Sequence, residues 1–437
     1  MRMITEPARE IELLGDYDAV VVGGGPAGLA AGITAARQGL RTLLVEQFNC
    51  LGGMMTSGLH QKVAVFHGSG GVNDIVGGLP REIADRAVND WNADYRPPGL
   101  YVEFEGIKCL LDEMAEESGL ELLYYSQVSD ALVEDGCVTG VLMNNKSGRM
   151  AARGKVVIDC TGDADVAFRA GCRVMHGRPE DGRMQPVTLM YRVGGVDRSK
   201  VSDYLRTDSL LEEFCKRAVE SGLMRPWQSR IMGFWWNSAR PDQINVNFTH
   251  MHLDGTSVFD LTKAAIEGRK QVQEAVRAMR ELISGFENSY LIDTAPSIGV
   301  RETRRIYGEY VLTAEDIIKE TIFEDSIGLG SAFIDIHNVE GPGMDKRSGY
   351  TLPEGHYYSI PYRTLVPESV DNLLVAGRCH SATHEAAGST RWMTQCMVMG
   401  QAAGTAAAIC VGESIRPRQV DVGELRRRLL EQGAVLE

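Results

Sequence analysis

The sequence predicts an α/β protein: a Rossmann-type dinucleotide-binding domain interrupted by an inserted α+β domain. Three observations carry that prediction. Residues 19–46 read as apolar strand, glycine turn, Ala-rich helix, second apolar strand and a terminal carboxylate. A second strand–glycine–helix unit returns near the C-terminus, with a strand at 372–378 and a helix of small residues over 392–410. Between the two, from about Gln185, the character changes as Met190, Trp227, Met232, Phe234, Trp235 and Trp236 appear.

The first unit is the most informative stretch. A continuous apolar run ending at Gly23 suits a parallel strand buried on both faces. Gly23, Gly25 and Gly28 then match G-x-G-x-x-G. Gly23 permits the tight turn, Gly25 lets the backbone approach a pyrophosphate, and Gly28 lets helix pack on strand. The helix is expected over 26–38, with Pro26 and Ala27 in its first turn and Gly39 as its stop. Its N-terminus offers unpaired N–H groups and a positive dipole end to phosphates. Glu46, eighteen residues beyond Gly28, is placed to accept the hydroxyls of an adenosine ribose, and an acid there argues against a 2′-phosphorylated nucleotide.

The next stretch, 47–58, pairs glycines with small polar residues, as suits a loop lying against a flat ligand. Helices are expected over 79–91 and 104–118, the latter stopped by Gly119. Residues 120–159 alternate as short strands with turns at 134–136 and 146–148, ending in Thr161, Gly162 and Asp163. The inserted unit is expected over 186–344. It contains the alternating strand INVNFTHMHLDG and helices near 260–284 and 314–321. Residues 340–356, rich in Gly and Pro, read as the linker back, and 379–391 as a loop. A charged amphipathic helix is expected over 422–432. The division is therefore 1–17 as an N-terminal extension, 18–185 and 345–437 as the two parts of the nucleotide domain, and 186–344 as the insert.

Composition narrows the partners. A net charge of −14, from 45 basic and 59 acidic residues, disfavours nucleic acid and anionic membranes. The 44% hydrophobic fraction is that of a soluble globular chain. Nine scattered cysteines suggest neither a disulfide framework nor a metal site, and the polar start lacks a signal peptide. A cytoplasmic protein acting on a small-molecule substrate is expected, without nucleic acid or membrane; a homo-oligomer stays open. His380 and His384 have metal-ligand spacing but fall in the expected loop, so no metal is expected.

Taken together, residues 18–28, Glu46 with 51–54, 158–165, 301–310 and 360–404 resemble the FAD-dependent oxidoreductase family with the glutathione-reductase-like FAD fold, in its bacterial single-chain branch. The resemblance covers nearly the whole chain. It implies non-covalently held FAD, with Gln47, Gly52, Gly53, Met54, Val128, Thr161, Gly162, Asp163, Gly377, Arg378 and Met393 joining Gly23, Gly25, Pro26, Ala27, Gly28 and Glu46 around it. The chain departs from the family's pattern at residues 391–394, where Thr394 stands in place of a helix-starting proline. No second G-x-G-x-x-G follows a strand. NAD(P)H, where it serves as reductant, is therefore expected to dock transiently, with ping-pong kinetics.

The function expected is hydride transfer between flavin N5 and a small anionic molecule. His337 and His384 are the expected proton-transfer groups, since imidazole titrates near working pH. Arg301 and Arg304 are expected to anchor a carboxylate. A flavin monooxygenase or oxidase is the alternative, and a flavin-bearing electron-transfer or binding subunit a third.

Overall fold

The computed structural model describes residues 4–5, 7–236 and 239–437. Strand β1 (Glu12–Val22) leads into helix α1 (Pro26–Arg37) and strand β2 (Thr42–Val45). Helices α2 (Gly78–Asp90) and α3 (Phe104–Ser118) follow, then strands β3 (Glu121–Leu123), β4 (Gln127–Glu134), β5 (Cys137–Asn145) and β6 (Gly148–Asp159). β1 starts earlier than its apolar run because its first residues, mostly exposed, pair with the start of β6.

Next come strands β7 (Tyr191–Gly194), β8 (Gly233–Trp236) and β9 (Ile244–Asn247), helix α4 (Val258–Leu282) and strand β10 (Tyr290–Thr294). Strand β11 (Leu373–Val375), helices α5 (His384–Thr390), α6 (Met393–Glu413) and α7 (Val422–Glu431) close the chain.

The main sheet has the order β3-β2-β1-β6-β5-β4, with β11 also on β6. β3, β2, β1, β6 and β11 run parallel; β5 pairs antiparallel with both β6 and β4. The fork lies within β6: residues 148–153 pair with β5, and 157–159 with β11. This brings the carboxyl ends of β1, β2, β6 and β11 to one edge, where open α/β sheets bind ligands.

Helix α6 is apolar and long enough to cross a membrane by composition, yet most of its apolar surface is buried inside the protein. Its small residues explain how. A Cβ on Gly400 would lie 2.0 Å from the Ala27 carbonyl oxygen, and one on Gly404 2.5 Å from that of Ala31. Only glycine lets α6 lie this close on α1.

A second, antiparallel sheet has the order β8-β9-β7-β10. α4 buries Ala264, Gly268, Val272, Ala275, Val276 and Met279, the face that its helical period predicts. We retain 186–344 as the proposed extent of the inserted unit. From within it, strand Arg304–Ile306 reaches back to pair with Val174–His176.

Candidate active site

A cavity of about 1100 Å³ opens at the carboxyl edge of the main sheet. Val22, Val45, Cys160 and Ala376, at the ends of β1, β2, β6 and β11, form its floor. Thr188, Met190, Asn247 and residues 296–301 form the facing wall.

One end is built from backbone and paired charge. Gly23 has φ +93°, and a Cβ there would lie 2.6 Å from the Cys160 carbonyl oxygen. Gly25 precedes the first turn of α1, and a Cβ there would meet nothing within 4 Å: the position faces open cavity. Gly28 stands behind the wall, where a Cβ would lie 1.6 Å from the Gly23 carbonyl oxygen.

Pro26, Ala27, Gln47, Gly53, Met54, Val128, Thr161, Gly162, Gly377 and Met393 line the cavity with Glu46, Asp163 and Arg378. Gly52 does not line it; its N–H donates to the Gly24 carbonyl (2.8 Å) and fixes the loop. Glu46 accepts the N–H groups of Gly24 (2.5 Å) and Phe48 (2.8 Å). Burial raises its pKa, against the pull of those N–H groups. Arg378 pairs with Asp163 at 2.8 Å, and Asp163 also accepts the Thr303 hydroxyl (2.6 Å). This end fits an extended dinucleotide: a glycine floor without side chains, a helix N-terminus and a carboxylate beyond it.

The other end holds charge without partners. Arg301 is buried, 7% exposed. Its Nη1 donates to the Pro186 carbonyl (2.7 Å) and its Nη2 to Asn247 Oδ1 (3.5 Å). It forms no ion pair with any of the described residues. Burial and the neighbouring Arg391 bring its pKa down to about 9. Arg391 pairs with Asp335 (2.9 Å), but its Nε is buried without an acceptor, as is the Nε of Arg230.

His337 is 4% exposed and keeps its Nδ1 unpartnered, with Nε2 3.5 Å from Asp335 Oδ1. Its backbone N–H is held by Gln185 Oε1 at 3.1 Å. Burial, then Arg301 and Arg391, hold its pKa well below the ordinary imidazole value. His60, stacked 4.6 Å from Trp235, also has an unpartnered Nδ1, and burial with Arg301 lowers it to about 4. Two neutral imidazoles and an unpaired guanidinium therefore share one wall with Arg230, Arg391 and Lys62.

Two expected catalytic residues lie elsewhere. His384 does not line the cavity. The loop expected over 379–391 contains helix α5, and His384, its first residue, is fully buried with Nδ1 2.7 Å from Glu302 Oε1. Glu302 also pairs with Arg305, and burial, outweighed by these two partners, leaves its pKa lowered. Arg304 is likewise spent on structure, binding Asp165 (2.8 Å) and the Asp163 carbonyl (2.7 Å) and covering the Phe168 ring at 4.6 Å. At the departure from the family pattern, α6 begins at Met393 without a proline. Thr394 donates its hydroxyl to the Ala64 carbonyl, and Trp392 lines the cavity. His60, Lys62, Arg230 and Arg391 are wall residues that no motif in the sequence marks; they meet only through the fold.

A profile of the family described as FAD dependent oxidoreductase matches residues 18–429. Over 166 residues the chain is 31% identical to thiamine thiazole synthase of Aeropyrum pernix, covering 35% of this chain and 57% of the relative. Over 162 residues it is 29% identical to digeranylgeranylglycerophospholipid reductase of Methanocella arvoryzae, covering 34% and 39%. The matches thus span between 39% and 57% of these relatives' own lengths. A variant of a flavin-dependent brominase superposes with a TM-score of 0.50 at 14% identity, over 95% of this chain and 84% of that one. At that identity the likeness is one of fold.

Proposed function

The chain belongs to the FAD-dependent oxidoreductase family, and from that premise we propose that it transfers hydride between a non-covalently held FAD and a small anionic organic substrate bound against Arg301. The observation that carries this reading is the buried Arg301 guanidinium, on the cavity wall and without a carboxylate partner among the described residues. A buried cation left unpaired is costly, and a substrate carboxylate would supply the missing partner bidentately.

Gly25, Glu46, Gly162, Arg378 and Met393 would hold FAD, whose isoalloxazine supplies the hydride chemistry when bound. His337 is the proposed acid/base. In the free site it is neutral, so its unpartnered Nδ1 is ready to accept a proton. The guanidinia that depress its basicity would be neutralised by an arriving carboxylate. His337 therefore gains basicity when substrate is present. Asp335 lies beside the ring Nε2, and Gln185 holds the His337 backbone N–H. A thermal-shift screen of the holoenzyme against carboxylates, sugars and aromatic acids tests the reading. Carboxylates are expected to stabilise the wild type and not Arg301→Gln; stabilisation by neutral sugars alone would reject it.

A further inference from the structure

The same wall carries more positive charge than one carboxylate would answer. Lys62, Arg230, Arg301 and Arg391 all line the cavity. Of the lining carboxylates, Glu46 is engaged by backbone N–H groups, Asp163 by Arg378 and Asp165 by Arg304. Asp335 alone stands among the four cations, and it already pairs with Arg391. The lining histidines, held neutral, alter this balance in neither direction.

The cations are also spread out. Arg301 and Arg391 act on both His60 and His337, whereas Arg230 is felt by His337 and Lys62 by His60. Arg301 and Arg391 are thus the cations common to both lining imidazoles, and Arg230 joins them on His337. Two of the buried donors without acceptors, Arg230 Nε and Arg391 Nε, belong to two different cavity-lining guanidinium groups. An unmade hydrogen bond on a buried charged donor is expensive. A single carboxylate seated on Arg301 and Arg391 would leave Arg230 as it is now.

We infer, resting on the anionic-substrate reading above, that the substrate is a dicarboxylate: one carboxylate is received by Arg301 and Arg391, the other by Arg230, with His337 facing the carbon chain between them. The planar fork of each guanidinium suits carboxylate oxygens in pairs.

Isothermal titration calorimetry of the holoenzyme tests this with malonate, succinate, glutarate and adipate, each beside its own monomethyl ester. At least one diacid is expected to bind tenfold or more tighter than its ester. Arg230→Gln is expected to abolish that preference while keeping ester binding, and Arg301→Gln to weaken both. If every diacid binds no tighter than its ester while Arg301→Gln still loses both, the two-anion inference falls and the anionic-substrate reading stands. If the wild type binds no member of the series, both fall. A preference that survives in Arg230→Gln overturns the role of Arg230.

Discussion

The two ends of the cavity differ in how their charges are satisfied. At the dinucleotide end each carboxylate has an answer: Glu46 from two backbone N–H groups, Asp163 from Arg378, Asp165 from Arg304. At the other end Arg301 has no ion-pair partner among the described residues, and His60, His337, Arg230 and Arg391 each keep a buried nitrogen without a hydrogen-bond partner. Fully satisfied groups hold a shape; unsatisfied ones wait for a ligand. On the function proposed above, the first end binds a constant cofactor and the second receives and releases a substrate.

The largest effect separates scaffold from cradle. Gly28→Ala places a methyl 1.6 Å from a carbonyl oxygen, so about 3 kcal/mol or more of stability is expected to be lost, with flavin lost too. Gly25→Ala, whose methyl meets only open cavity, is expected to keep the apoprotein's melting temperature and still lose flavin. Thermal denaturation with visible absorbance reads both; equal destabilisation of the two variants would contradict this division.

The second comparison sets two histidines apart. His337→Ala is expected to keep bound FAD and slow the flavin's reaction with substrate by roughly 10²–10⁴-fold. His384→Ala, which removes one of the partners of Glu302 away from the cavity, is expected to lower the melting temperature and leave that rate alone. Stopped-flow absorbance at the flavin band measures it, and a slow His384→Ala beside a normal His337→Ala would reverse the assignment.

A smaller effect is expected at Glu46. Glu46→Gln removes the charge behind the ribose contacts proposed for it, worth roughly 1.5–3 kcal/mol per charge-assisted bond. Equilibrium dialysis should show weaker FAD retention with unchanged binding of carboxylates.

Acidity presses on the reactive end. His60 is lowered to about 4 and His250 to about 3, both chiefly by burial. Between pH 7 and 5 the unfolded chain protonates these imidazoles and the folded one does not, so stability falls with pH by on the order of 2 kcal/mol for each. Asp165, raised to about 6 by burial and its acidic neighbours, offsets part of this within the same interval, and Glu46 and Asp159, raised by burial, act in the same sense as Asp165. Melting temperatures across that interval check it; a flat profile would mean that the histidines are not held neutral.

How far the sequence foretells the site follows the same division. The dinucleotide end is written locally: strand, glycines, helix and acid fall within residues 19–46, and α1 and α3 lie within a residue of their expected bounds. The reactive end is assembled from distant, irregular segments. His60 and Arg230 sit in loops with no periodicity to mark them, and only the fold makes them neighbours. His384 lies off the cavity, and the sequence holds a signal for this. Thr383 followed by His384 and Glu385 reads as a helix start with an acid in the first turn, and the Thr383 hydroxyl does accept the Ala386 N–H at 3.3 Å. A helix there turns His384 inward, away from the cavity.

The central claim is that one end holds the cofactor and the other holds the substrate anion, independently. Arg301→Gln tests it most directly, by its visible spectrum followed by a calorimetric titration with whichever dicarboxylate or ester the wild type binds best. A flavin-to-protein ratio equal to wild type and no measurable heat of binding are expected if the two ends act independently. Loss of the flavin, or binding undiminished from wild type, would contradict it.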